Sequence, residues 1–157
     1  MKHTLSVLVR NHSGVLSHVA GLFTRRAYNI ESLIAGVTEN PSVSRLTIVV
    51  KGDERVLEQV IKQVRKLIDV IKVYDLHKTH SVERELLLLT VKLQKSTRCE
   101  ILQIIDAFGA KVINMSKDAV TIELSDTERV IENLIEVMMP FGISDVARTG
   151  VLALPIS

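Results

Sequence analysis

The sequence predicts an α+β chain in which one βαββαβ unit occurs twice in tandem. Three observations carry that prediction. Apolar residues switch repeatedly between a period of two and the helical period, each switch falls beside a turn or capping signal, and the order of elements in residues 1–77 recurs in residues 78–157.

The first unit opens with residues 4–10, where Leu5, Val7 and Val9 alternate as on a half-buried strand. Residues 15–27 place Val15, Val19, Leu22 and Phe23 on one helical face. Residues 29–38 read as a strand. Asn40-Pro41-Ser42 makes a turn, and residues 45–50 form a β-branched strand ended by Gly52. Asp53 is the expected N-cap of a helix whose stripe is Val56, Val60, Val64 and Leu67. Residues 70–76 close the unit as a strand, and the polar stretch from His77 to Ser81 leads to the second.

There, residues 85–93 begin as a strand. Thr97 and Glu100 stand at capping-box spacing before Ile101, Ile104, Ile105 and Phe108, and Gly109 stops that helix. Strands at 111–115 and 119–124 flank the turn Ser116-Lys117-Asp118. A second capping box, from Ser125 to Glu128, precedes Val130, Leu134, Val137 and Met138; Pro140 ends the helix and residues 143–149 form the last strand. Such units fold as ferredoxin-like sandwiches, two helices on one face of a four-stranded sheet. Ile48-Val49-Val50 and Leu86-Leu87-Leu88-Leu89 are apolar on both faces. A second face needing cover is therefore expected, through pairing either between the two units or between chains, with a homodimer the favoured case.

Composition removes several classes of function. Apolar residues make up 46% of 157, enough for an aliphatic core without staples, and Cys99 has no disulfide partner. No apolar run is long enough to span a membrane or to serve as a secretory leader, so a soluble, cytoplasmic chain is expected. Residues 1–77 carry 11 basic and 7 acidic side chains and residues 78–157 carry 9 and 11, in no block, so no nucleic-acid partner is expected. RNA-recognition versions of this fold need aromatic side chains on the central strands, and Arg45 to Val50 has none. His77 and His80 lack companion ligands and read as a solvated linker, so no metal site is expected. Cys99 reads as inert packing, and Glu83, Arg84 and Glu85 as a salt-bridged surface edge. No catalytic cluster, phosphate loop or nucleophile motif is present; the chain is not expected to be an enzyme.

What remains is the turn from Arg10 to Leu16. Gly14 lets the backbone approach a ligand without a Cβ in the way. The N–H groups of Gly14, Val15 and Leu16 are then the open donors of a helix start, suited to a carboxylate, and Asn11 offers both a donor and an acceptor. The plain alternative is a βα turn in which Ser13 caps the helix.

The stretch NHSGVLSHVAGLF (11–23), with RRAYNIESL (25–33), SRLTIVVKGDE (44–54), EQVIKQVRKLIDVIKVYDL (58–76), SVERELLLL (81–89) and PFGISDVARTG (140–150), resembles the regulatory small subunit of acetolactate synthase, whose N-terminal part is an ACT domain. That resemblance implies an ACT domain over 1–77 and the family's C-terminal ferredoxin-like domain over 78–157. It implies a non-catalytic chain that activates a catalytic large subunit and confers feedback inhibition by valine or another branched-chain amino acid. Thiamine diphosphate, FAD and magnesium belong on that partner, and no cofactor on this chain. ACT domains of the family pair side by side around the effector. By matching position, Asn11, Gly14, Val15 and Leu16 would hold the amino acid, and Asn29 and Ile30 would reach it from the neighbouring subunit. Ala27 stands where the family usually has Gly, at a cost of roughly 1 kcal/mol if that residue needs positive φ. A free-standing two-ACT sensor controlling transcription is the alternative; it leaves PFGISDVARTG unexplained.

Overall fold

The structure, a computed structural model, describes residues 1–157. The chain forms two compact units, one of residues 1–82 together with 151–157, the other of residues 83–150.

The first contains β1 (Lys2–Arg10), α1 (Val15–Arg25), β2 (Asn29–Val37), β3 (Val43–Lys51), α2 (Glu54–Arg65) and β4 (Val70–Asp75). Its antiparallel sheet runs β2-β3-β1-β4, so β2 is an edge strand. In register, Leu5 faces Ile48 and Val7 faces both Leu46 and Val73. These side chains alternate onto the helix face, where they bury Val19, Leu22 and Phe23 of α1 and Leu57, Val60 and Val64 of α2. Each fully buried aliphatic side chain contributes about 1.5–3 kcal/mol, so an all-aliphatic stripe suffices.

The second unit contains most of β5 (Ser81–Lys92), then α3 (Arg98–Phe108), β6 (Lys111–Met115), β7 (Ala119–Asp126), α4 (Glu128–Met138), a 3-10 turn (Met139–Phe141) and β8 (Ile143–Arg148). Its sheet path is β6-β7-β5-β8. Leu87, Leu89 and Val91 meet Ile101, Ile105, Ile131 and Leu134 in a second core. No helix of the chain is long and apolar enough to cross a membrane.

Four expectations need correction. A short strand β9 (Leu152–Pro155), unforeseen in the sequence, pairs with β5, and the Ile156 N–H donates to the His80 carbonyl. Strand β5 begins at Ser81 rather than 85, and the first compact unit runs to residue 82 and takes in residues 151–157. Next, the bare apolar face is absent at 48–50: Ile48 and Val50 lie in the core, and Val49, with Thr47 and Ser6, is buried as well. In the second unit Leu88 does stay exposed.

Third, the capping boxes differ from their pattern. Thr97 already has helical backbone angles, so its hydroxyl points back to the Gln94 carbonyl (3.4 Å) instead of capping α3. Ser125 is still strand, paired with Leu86; α4 is capped by Thr127, whose hydroxyl accepts from the Val130 N–H. Asp53 caps α2 as expected, accepting from Val56. Last, Glu85 is not a surface edge but a buried carboxylate, and Cys99 is exposed rather than packed.

Helix α1 ends at Arg25, two residues before the expected limit. The Tyr28 N–H reaches the Phe23 carbonyl (3.1 Å) and the Ala27 N–H the Thr24 carbonyl (3.3 Å), a Schellman closure with Ala27 at φ 56°. The strained alanine anticipated at this exit is therefore present.

Candidate functional site

The β1–α1 turn is held from both sides by backbone. At the end of β1, the Arg10 N–H donates to the Asp69 carbonyl (2.9 Å). Asn11 is tied to the β2–β3 turn twice, its N–H to the Ser42 carbonyl (2.8 Å) and its Nδ2 to the Pro41 carbonyl (3.0 Å). Half of the donor capacity expected of Asn11 is thus committed to structure, leaving its carbonyl oxygen and one amide hydrogen. Gly14 then turns the chain at φ 88°, with no atom within 4 Å of where a Cβ would sit. Ser13 does not cap the helix; the N-cap is Gly14, which has no side chain to offer.

The helix start therefore keeps open donors. Val15 gives its N–H to the His12 carbonyl at 3.5 Å, correcting the expectation that it is free, whereas the N–H groups of Gly14, Leu16 and Ser17 find no acceptor in the chain. They face a hollow of about 370 Å³, bounded by the Gly14–Leu16 backbone, by Ala35, Gly36 and Val37 of β2 and by Ser44 of β3. That volume accommodates a small ligand. The side chain of Val15 is buried in the core, so the exposed aliphatic wall is Leu16 with Val37.

Asn29 and Ile30 lie at the far end of β2. They line a separate hollow of about 540 Å³ with Phe23, Thr24 and Tyr28. Within one chain, then, the six expected residues split into a group of four around Gly14 and a pair around Asn29.

One cluster beside the Gly14 turn went unread in the sequence. The carboxylate of Asp69, largely buried between α2 and β4, accepts from His12 Nε2 (2.7 Å) and faces His18 Nδ1 (3.4 Å). His12 Nδ1 lies 3.1 Å from the Ser13 carbonyl. The Ser13 carbonyl, followed by Asp69, pushes the His12 pKa above its ordinary value. For Asp69, burial works upward, but the bonds from His12 and His18 prevail and hold the carboxyl below its usual range. Asp69 lies 57 residues from His12, and no local pattern links them.

In the second unit the corresponding carboxylate is Glu85. The Arg148 guanidinium grips it through Nε (2.6 Å) and Nη2 (3.2 Å) and also meets Glu132 of α4 at 2.8 Å. These carboxylates, Glu85 first, raise the Arg148 pKa further above an already high value. Thr149 adds its hydroxyl as acceptor for the Leu86 N–H (3.0 Å). The ARTG segment thus fastens β8 to β5 and α4. No group of three or more His, Cys, Asp or Glu side chains is arranged to hold a metal ion.

Residues 5–72 match the family model of the acetolactate synthase (AHAS) small subunit-like ACT domain, and residues 84–156 match that of the small subunit of acetolactate synthase. The chain is 48% identical over 154 residues to a probable acetolactate synthase small subunit of Archaeoglobus fulgidus, covering 98% of this chain and 96% of that one. The chain belongs to the acetolactate synthase small-subunit family. A family member from Mycolicibacterium smegmatis is 44% identical over 151 residues, 96% of this chain and 89% of that one. The crystal structure of the small subunit from Thermotoga maritima superposes with a TM-score of 0.90 at 37% identity, over 100% of this chain and 98% of that one. The tandem ferredoxin-like architecture, ACT domain first, is thereby that of the family.

Proposed function

We propose that the chain raises the activity of a catalytic acetolactate synthase subunit and makes it sensitive to a branched-chain amino acid, valine foremost. The observation that carries this reading is the hollow at the Gly14 turn. It joins three unsatisfied backbone donors, which suit an α-carboxylate, to the exposed aliphatic side chains of Leu16 and Val37, which suit a branched side chain. Asn11 supplies the remaining acceptor for the α-ammonium group.

Two copies complete the site. Strand β2 is an edge, with Asn29 at one end and Ala35 to Val37 at the other. Antiparallel pairing of β2 with its counterpart in a second copy reverses direction, so the partner's Asn29 end comes beside the Val37 end and its hollow. The homodimer rests on this edge and no longer on a bare sheet face. Valine would then crosslink two ACT domains and bias how the dimer engages the catalytic subunit, a coupling typically worth about 1–3 kcal/mol. Thiamine diphosphate, FAD and magnesium would reside on that subunit, in the cytoplasm.

The test is reconstitution. The purified chain is added to the cognate catalytic subunit and acetolactate formation is followed with and without L-valine. A rise in rate on addition, reversed by L-valine, is expected; a rate unchanged by the chain would overturn the proposal.

A further inference from the structure

Resting on the reading of the Gly14 hollow as the effector site, the geometry points to His12 as its positioning residue: held as an imidazolium between Asp69 and the Ser13 carbonyl, it aims the backbone donors and makes carboxylate affinity fall as pH rises.

Both ring nitrogens of His12 face groups that can only accept. Nε2 is 2.7 Å from a carboxylate oxygen and Nδ1 is 3.1 Å from a carbonyl oxygen. A neutral imidazole carries one N–H and can satisfy one of them; the imidazolium satisfies both. The environment favours the charged form, with the Ser13 carbonyl and Asp69 acting in the same direction.

The consequence for the hollow follows from peptide geometry. The Ser13 carbonyl and the Gly14 N–H belong to one planar trans peptide and point in opposite directions. Whatever holds the carbonyl holds the N–H. Gly14 at φ 88° has no Cβ to resist rotation of that peptide, so the tether from His12 joins the 3.5 Å bond from the Val15 N–H to the His12 carbonyl in fixing its direction. Asp69 anchors the other side of the ring and, through its own carbonyl, the Arg10 N–H, which makes it a two-point clamp on the turn.

Loss of the proton releases one tether and removes a positive charge from a residue that lines the hollow. Both changes weaken binding. The charged or titratable groups facing His12 are Asp69 from the α2–β4 turn, His18 from α1 and Arg10 at the end of β1. His18 approaches Asp69 at the longer distance, so His12 is the closer partner of that carboxylate.

The experiment is calorimetric titration of the full chain with L-valine from about pH 5.5 to about pH 8, a window in which imidazole titrates and the zwitterion does not. The native chain should lose at least about fivefold in affinity across it, the lower end of ordinary site coupling. His12→Gln should bind with little pH dependence, Asp69→Asn should move the midpoint towards lower pH, and His18→Gln should keep the slope. Amide NMR of the native chain without ligand should show the Gly14, Leu16 and Ser17 N–H signals moving with the titration of the His12 ring. Valine binding with a flat profile in the native chain, or amides indifferent to His12, overturns the inference and leaves the effector reading standing. No valine binding at any pH overturns both.

Discussion

The β1–α1 turn and the β5–α3 turn occupy the same place in the same element order, yet they dispose of their backbone donors differently. In the second unit the Gln94 carbonyl takes the N–H groups of both Thr97 and Arg98, the Arg98 guanidinium reaches across to the Lys117 carbonyl, and the N–H groups of Cys99 and Glu100 stay open. In the first, the chain bonds away from the turn, to Asp69, Pro41 and Ser42, and a left-handed Gly14 leaves open donors above a hollow. Open donors are common to both helix starts; the first turn adds a left-handed Gly14 and a hollow of about 370 Å³ beside them. The carboxylates show the same contrast. Asp69 is partnered by imidazoles, which titrate near neutrality, and Glu85 by a guanidinium, which does not.

The largest test of that contrast is Arg148→Met. It strands the buried Glu85 carboxylate and should cost about 3–5 kcal/mol in urea unfolding at neutral pH, and less in acid, where a stranded carboxylate can take up a proton. A loss below about 1 kcal/mol would show the pair to be no more than a surface contact. His12→Gln should behave oppositely with pH. Because the folded pKa of His12 is raised, the stability it contributes is fully present below its unfolded value of about 6.5 and disappears as pH rises through the folded one. The lowered pKa of Asp69 sets the other limit, its share vanishing as pH falls below about 4 through the folded value. Urea midpoints of the native chain and His12→Gln should therefore separate in mildly acidic buffer and converge as pH rises through the folded value.

Smaller effects test the helix ends. Ala27 and Gly109 close α1 and α3 in the same Schellman form, Gly109 at φ 70°. Ala27→Gly should stabilise by about 1 kcal/mol, and Gly109→Ala should destabilise by about as much, because the added Cβ meets open space but an unfavourable φ. Equal and small shifts in thermal melting for both would remove the strain argument. Smallest is the cap comparison. Thr127→Ala should cost about 1 kcal/mol, whereas Thr97→Ala should cost no more than a few tenths, since only Thr127 caps its helix.

The elements themselves were legible because aliphatic periodicity is a local signal; the core stripes from Val15 to Phe23 and from Val56 to Val64 appear as the sequence predicts. The strain at Ala27 was anticipated only through the family resemblance, which places Gly at this helix exit. Strand β9 was not, because its four residues form a strand only through pairing with β5. The capping boxes failed for a related reason: spacing names a Thr and a Glu, but not whether the strand has ended or the threonine has already turned helical. At the site, Gly14 and its neighbours could be read from the turn, but the Asp69 clamp depends on a contact across the fold. So does the separation of Asn29 and Ile30 from Gly14 within one chain.

Calorimetry of the chain with L-valine and with D-valine, in the native form and in Gly14→Asp, tests the central claim most directly. The new carboxylate has open space but a strained backbone angle, so thermal melting must show the fold intact before lost binding is credited to like charge repelling the ligand. The account predicts saturable heat with L-valine alone, lost in Gly14→Asp. Equal binding of both enantiomers, or L-valine binding undiminished in the variant, would contradict it.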